Sequence, residues 1–259
     1  MPKSIFREIY DSLRQGIEDG LYSYQSMLLS ENELCNRYGC SRSTVRRALS
    51  ELTNDGYVQP IQGKGVRVIW RPETDEDNAG YSMGGLESFD QTAARVGFTS
   101  STKVLNFELI TIDATMARTS GFAEGDEVYF TKRVRYADDT PVSLERSWLL
   151  ASEAPGLTEE QARISLYGYL ESIGVGIATG KRYITVEAAN EEDIELLDLG
   201  SPNSLKAVGV FRGQHFDTKG IMFEYSIIRQ HPYYFSIRET ASRPSPSPSG
   251  GKARHVPQA

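Results

Sequence analysis

The stretch from Ser30 to Gly56 limits what this chain can fold into more than any other. Ser30 is a helix N-cap with Glu33 three residues on, the reciprocal capping pattern, and Gly39 can end that helix after Tyr38. Ser41 then caps a further helix in which Val45, Ala48, Leu49 and Leu52 share an inward face. Arg42, Ser43, Arg46 and Arg47 are left on the outer side of its first turns, and Asp55-Gly56 closes it. Upstream, Ile5, Ile9, Leu13 and Ile17, widened by Phe6 and Tyr10, predict an amphipathic helix to about Asp19, ended by Gly20. Downstream, Tyr57 to Ile61 and Val66 to Ile69 read as short strands joined by Gln62-Gly63-Lys64-Gly65, where two glycines permit a tight turn. The order is helix, helix-turn-helix, wing, and it is predicted over residues 1–70.

Charge points the same way. Over its 259 residues the chain has a formal charge of -7, which excludes a polycation that coats nucleic acid, so any nucleic-acid site must be local. Met1 to Arg71 carries ten Lys or Arg against eight Asp or Glu, and Asn36 to Ser50 holds four arginines and no carboxylate. A helix-turn-helix places the start of its second helix in a major groove, where Arg can bond guanine bidentately and Ser or Thr hydroxyls can reach phosphate. The alternative for the same arginines is an ordinary solvated helix face.

These residues resemble a known signature. Ser30-Glu31-Asn32-Glu33-Leu34, Tyr38-Gly39-Cys40-Ser41-Arg42-Ser43-Thr44-Val45-Arg46-Arg47-Ala48-Leu49, Leu52 to Val58 and Gln62-Gly63-Lys64-Gly65 look like the winged helix of GntR-family bacterial transcription regulators. The resemblance implies DNA contacts from Asn32, from Ser41, Arg42, Ser43, Thr44 and Arg46, and from Gln62, Gly63 and Lys64 of the wing. Two departures precede the second helix: Leu28-Leu29 stands where the family has Leu-Pro, and Tyr24-Gln25-Ser26 stands where it has a Pro-Gly-Asp turn.

Arg71 to Gly80 has no apolar periodicity and reads as a connector (71–80), and the Pro, Ser and Gly run after Arg243 predicts a disordered tail over 241–259. Between them, residues 81–240 alternate strand and helix patterns. Helices are expected at Ser88 to Val96, Ala114 to Thr119, Ser165 to Ile173 and Glu191 to Leu197, a strand at Thr102 to Ile112 and another at Lys181 to Ala188. Hairpins are expected at Val128 to Leu150 and Leu205 to Arg229. The whole chain is therefore α+β, a winged helix followed by a mixed α/β ligand-binding domain. Gly85 to Phe89, Arg133-Val134-Arg135, Ser165-Leu166-Tyr167 and Glu191 to Leu199 are similar to segments of the UTRA effector domain of HutC-subfamily GntR regulators, repressors of trehalose and other sugar operons among them.

Arg133 and Arg135 lie two apart on a strand, hence on one face, and adjacent guanidiniums repel unless an anion joins them. A three-residue hairpin loop would set Arg133 opposite Glu145, and a two-residue loop would set Lys132 there. The family pattern favours the first, in which Glu145 can accept from sugar hydroxyls; the competing reading is a plain cross-strand ion pair. By the same resemblance Ser88, Phe89, Ser165 and Tyr167, with Glu224 and Arg229 on the last hairpin, join an effector site for a small anion, a sugar phosphate by expectation. The expected assembly is a homodimer on double-stranded palindromic operator DNA, acting as a repressor in the cytoplasm and away from membranes.

Signals of enzymes are weak. Gly80-Tyr81-Ser82-Met83-Gly84 matches a hydrolase nucleophile pattern, but an acidic connector precedes it where an apolar strand is needed. A hydrolase-like enzyme tethered to DNA, using Ser82 or Glu145, is the rival reading. Cys35 and Cys40 are the only cysteines and the three histidines are far apart, so neither catalytic residues, a metal site nor a cofactor is expected. The charged start and the absence of a run of about 20 apolar residues predict a soluble, unexported protein.

Overall fold

The computed structural model describes residues 5–72, 81–82 and 88–237. The connector beyond Pro72, the Gly85 to Glu87 segment and the tail lie outside the described residues, and of Gly80 to Gly84 only Tyr81 and Ser82 fall inside them. Among the described residues, 5–72 and 81–237 form two compact units.

The first unit contains α1 (Ile5–Glu18), α2 (Glu31–Tyr38), α3 (Arg42–Asn54), β1 (Val58–Ile61) and β2 (Gly65–Val68). Ser30 Oγ accepts from the Glu33 N–H at 3.3 Å while the Glu33 carboxylate accepts from the Ser30 N–H at 2.8 Å. A cap of this kind contributes about 1 kcal/mol. Gly39 ends α2 in the left-handed region at φ 59°, and Ser41 caps α3 two residues later. Ile9, Leu13, Ile17, Leu34, Val45, Ala48 and Leu52 form the core with Val58 and Val68. Ile5, expected on the buried stripe, is exposed. At about 100° per residue a spacing of four drifts roughly 40° per step, so Ile5 and Ile17 cannot share one narrow face. Gln25, in place of the family glycine, adopts a left-handed φ of 66°. Its N–H donates to Val68 O at 2.9 Å and the Leu28 N–H to Val66 O at 2.8 Å, laying this segment along β2.

The second unit starts with β3 (Tyr81–Ser82), α4 (Phe89–Val96), β4 (Ser100–Thr111), α5 (Ala114–Ser120), β5 (Glu127–Ala137) and β6 (Thr140–Leu150). It continues with α6 (Glu159–Ile164), α7 (Leu166–Ser172), β7 (Ile177–Ala188), α8 (Glu191–Leu196), β8 (Ala207–Asp217), β9 (Met222–Gln230), a 3-10 turn and β10 (Phe235–Ser236). Six strands form one sheet in the order β4-β5-β6-β9-β8-β7, every neighbouring pair antiparallel. Helix α6 was not foreseen, although Thr158 and Gln161 form a capping box at its start. Leu149, Ala162, Leu166, Leu170 and Phe223 pack together on one side, and Val134, Leu144, Val208 and Val210 pack against Leu197 and Leu199 on the other.

The β5–β6 turn corrects the loop expected from the sequence. Ala137 pairs with Thr140 across a two-residue turn in which Asp138 and Asp139 both have positive φ, 45° and 68°. Both left-handed residues are what a type I′ hairpin requires. The register then shifts between Arg135 and Tyr136, because Val142 is bulged out, and Arg133 lands opposite Glu145. The pairing is the one the family pattern favoured, but a bulge sets it rather than a longer loop, and without that bulge Lys132 would occupy the place.

Candidate functional site

In the first unit, Asn32, Ser41, Arg42, Ser43, Arg46, Gln62, Gly63 and Lys64 are exposed and Thr44 is half-buried. Ser41 Oγ lies 2.8 Å from Ser43 Oγ and 2.9 Å from Thr44 Oγ1, so the hydroxyls at the start of α3 form a local cluster. The wing turn is closed by Lys64 N–H donating to Ile61 O at 3.0 Å, with Gly63 at φ 71°. Arg46 Nε donates to both carboxylate oxygens of Glu31 at 3.0 Å, and the Arg47 guanidinium sits 3.8 Å over the Phe6 ring.

In the second unit one face of the sheet floors a cavity of about 110 Å³. A water molecule needs about 10–15 Å³ on this measure, so the space exceeds a packing defect and suits a small metabolite. Strand periodicity builds the floor: Arg133 and Arg135 from β5, Ser143, Glu145 and Ser147 from β6, Glu224, Ser226, Ile228 and Gln230 from β9, Gly213 and His215 from β8. Ser88 and Phe89 at the start of α4 and Ser165 and Tyr167 at the start of α7 close the sides. Eight of the nine expected effector residues are thereby brought together.

Arg229 is the exception. It occupies the opposite face of β9, where Nη2 donates to Asp193 Oδ2 and Nη1 to Glu187 Oε2, each at 2.8 Å. Glu224 and Arg229 are five residues apart, an odd number, so a regular strand must send them to opposite faces. That parity could have excluded Arg229 from the start. The same rule, applied forward from Glu224, would have found Gln230 six residues on, a cleft residue the sequence reading left out along with Arg182 and His215.

One carboxylate joins the two arginines: Glu145 Oε2 accepts from Arg133 Nη2 and from Arg135 Nε, both at 3.0 Å. Arg133 Nη1 donates to Ala162 O at 3.0 Å, and Arg135 donates to Thr102 Oγ1 at 2.7 Å and lies 5.4 Å over the Phe89 ring. Burial, with the adjacent Arg135 charge, pushes the Arg133 guanidinium down to about 10. At the other end Tyr167 donates to Glu224 Oε2 at 3.0 Å, and His215 Nδ1 lies 3.0 Å from the same oxygen without hydrogen-bond geometry. Burial alone would raise the Glu224 carboxyl, but its contacts with His215, Ser147 and Tyr167 outweigh it and hold the group below its ordinary value. Burial, followed by the Glu224 charge, raises Tyr167 well above an ordinary tyrosine. Among the described residues, Arg133 Nε and Gln230 Oε1 are buried without a partner, and both belong to this cleft. Buried polar atoms are almost always bonded, so a ligand or solvent is what these would take up.

Residues 6–68 match the model of bacterial regulatory proteins of the gntR family, and residues 95–236 match the UTRA domain. This chain belongs to the GntR family and carries a UTRA domain. The GntR regulator is 31% identical over 239 residues to the HTH-type transcriptional regulator TreR of Bacillus subtilis, covering 92% of this chain and 97% of that one. The HTH-type transcriptional repressor NagR of Bacillus subtilis is 28% identical, covering 90% and 94%, and the mannosyl-D-glycerate transport/metabolism system repressor MngR of Escherichia coli 30%, covering 86% and 90%. YydK, a possible transcriptional regulator from Bacillus subtilis, has a solved structure that matches with a TM-score of 0.73 at 22% identity, covering 93% of this chain and 100% of its own. A GntR regulator with a UTRA domain binds operator DNA through the winged helix and a small-molecule effector through the UTRA domain. It is a transcriptional regulator and not an enzyme, which sets aside the tethered hydrolase. No helix among the described residues is long and apolar enough to cross a membrane.

Proposed function

We propose that this GntR regulator is a cytoplasmic, homodimeric repressor of a sugar-utilisation operon, released from a palindromic operator by a small anionic effector, a sugar phosphate. The observation that carries this reading is Arg133, buried at 3% exposure beside Arg135 with its Nε unpartnered. Two buried guanidiniums of the cleft, Arg133 and Arg135, share the single carboxylate oxygen of Glu145, an arrangement that favours a further anion. Glu145, Glu224 and Gln230 supply acceptors for hydroxyls, and the hydroxyls of Ser88, Ser165 and Tyr167 line the same space. The relative MngR, named as a repressor of a mannosyl-D-glycerate transport/metabolism system, supports the operon class.

A thermal-shift panel of hexose phosphates, the parent sugars and small dicarboxylates tests the effector class, since a ligand that binds only the folded chain stabilises it by mass action. Phosphorylated sugars alone should raise the melting temperature and release operator DNA; stabilisation by the parent sugars to the same extent would overturn the anionic reading. On the DNA side, Asn32, Ser41 to Thr44, Arg46 and Gln62 to Lys64 form the contact set. Arg42→Ala and Arg46→Ala should each weaken operator binding by about 1–3 kcal/mol in a gel-shift titration while leaving the melting temperature unchanged. Normal operator affinity in both variants would remove α3 as the recognition helix.

A further inference from the structure

The sheet face that floors the cleft continues along β8 to Gly209. Gly209, Phe211 and Gly213 alternate on that strand and so share the face, and a Cβ built on Gly209 would overlap the Phe235 ring, which lies on its backbone. Phe235 also sits 5.4 Å, centroid to centroid, from the cleft residue Phe211, but does not line the cleft itself. Directly across from Gly209, on β9, stands Gln230. Its amide works at both ends: Nε2 donates to Tyr234 O at 2.6 Å, and Oε1 is the buried cleft acceptor that has no partner. The next residues, Phe235 and Ser236, are β10, which pairs in parallel with Tyr81 and Ser82 of β3. In sequence, β3 directly follows residues 73–80, which join it to the winged-helix unit.

We propose that Phe235, seated on Gly209 and held there through Gln230, is the latch by which an effector in the cleft releases operator DNA. An effector group that donates to Gln230 Oε1 fixes the side chain in the position from which Nε2 holds Tyr234 O. The effector therefore binds best to the form in which β10 is docked, and occupancy shifts the population toward it. Docked β10 holds the backbone of Tyr81 and Ser82, so the join from Pro72 ends at residue 80. Each residue adds at most about 3.5 Å of reach, and the docked form keeps the winged helix on the shorter tether. Two winged helices must meet half-sites about 34 Å apart, and the undocked form, with the longer tether, is the one that does so. The inference rests on the cleft being the effector site.

The test uses the full chain and no effector. A Cβ at Gly209 points into the Phe235 side chain, so Gly209→Cys with Phe235→Cys sets two thiols face to face, and diamide closes them into a disulfide that locks β10 down. The oxidised double variant should bind operator at least about tenfold more weakly than the same protein reduced, in fluorescence anisotropy, while wild type under diamide controls for Cys35 and Cys40. Phe235→Ala, which favours the undocked form, should bind operator at least as tightly as wild type. In hydrogen exchange, Phe235→Ala and Gln230→Met should each speed the amides of β3 and β10 about fivefold and leave those of β8 and β9 unchanged. Equal or tighter operator binding by the oxidised form, weaker binding by Phe235→Ala, or unchanged exchange at β3 in both variants would each overturn the latch. An unaltered effector response in Arg133→Ala is a separate result, and it would remove the cleft reading on which the inference stands.

Discussion

The two faces of the six-stranded sheet use arginine in opposite ways. On one face Arg229 is saturated: Asp193, itself fully buried, and Glu187 and Ala188 O take its donors, and Asp193 is also the third residue of the α8 capping box. Lys132 and Arg146, on the same face, share Glu192. On the other face Arg133 and Arg135 divide one carboxylate oxygen, and Arg133 keeps a buried donor with no partner. A guanidinium whose three nitrogens are all hydrogen-bonded holds a fold together. One that is buried, crowded by another and short of acceptors is ready for a ligand.

The largest effect that can break this contrast is on stability. Arg229→Ala leaves Asp193 buried and uncompensated, and should cost about 3–5 kcal/mol in urea unfolding of the full chain. Arg133→Ala leaves Glu145 bonded to Arg135, so its stability loss should be clearly smaller. Its effect belongs in effector response: losing a charge-assisted bond of about 1.5–3 kcal/mol should shift effector-induced operator release to roughly 10- to 150-fold higher concentration, with operator affinity unchanged. A stability loss equal to that of Arg229→Ala together with an unaltered effector response would make the cleft arginines as structural as Arg229.

The smallest effect sharpens the cleft's other end. His215, Ser147 and Tyr167 hold the Glu224 carboxyl below its ordinary value despite burial. The sign follows from linkage: stability from a depressed carboxylate is complete above the unfolded value of about 4.3 and is lost as pH falls through the lower folded value. Glu224→Gln should therefore be less stable than wild type at neutral pH, and the margin should narrow below about pH 4. A margin that widens on acidification would mean that the carboxyl is held neutral in the fold.

Most of the DNA-binding unit was legible in the sequence because its signals are local. Capping at Ser30 and Ser41, the left-handed stop at Gly39 and the Val45, Ala48, Leu49, Leu52 stripe each depend on residues within one or two turns. The effector cleft was half legible. Two same-face arginines are a local fact, and the family resemblance supplied their neighbours, but Arg229 was carried over against strand parity, the parity that would have found Gln230 was not applied, and His215 and Arg182 gave no local signal.

What the sequence by itself determined is the identity and order of the main elements, α6 excepted, down to the caps of α2, α3, α4 and α7. Only tertiary structure decided which charges meet. Glu31 reaches Arg46 across a helix-turn-helix, and Glu145 reaches both cleft arginines because Val142 bulges out of β6. The reason is that a cap or a stripe is fixed by backbone dihedrals a few residues long, whereas a cross-strand or cross-helix pair depends on register, and one bulged residue exchanges Lys132 for Arg133 opposite the same carboxylate.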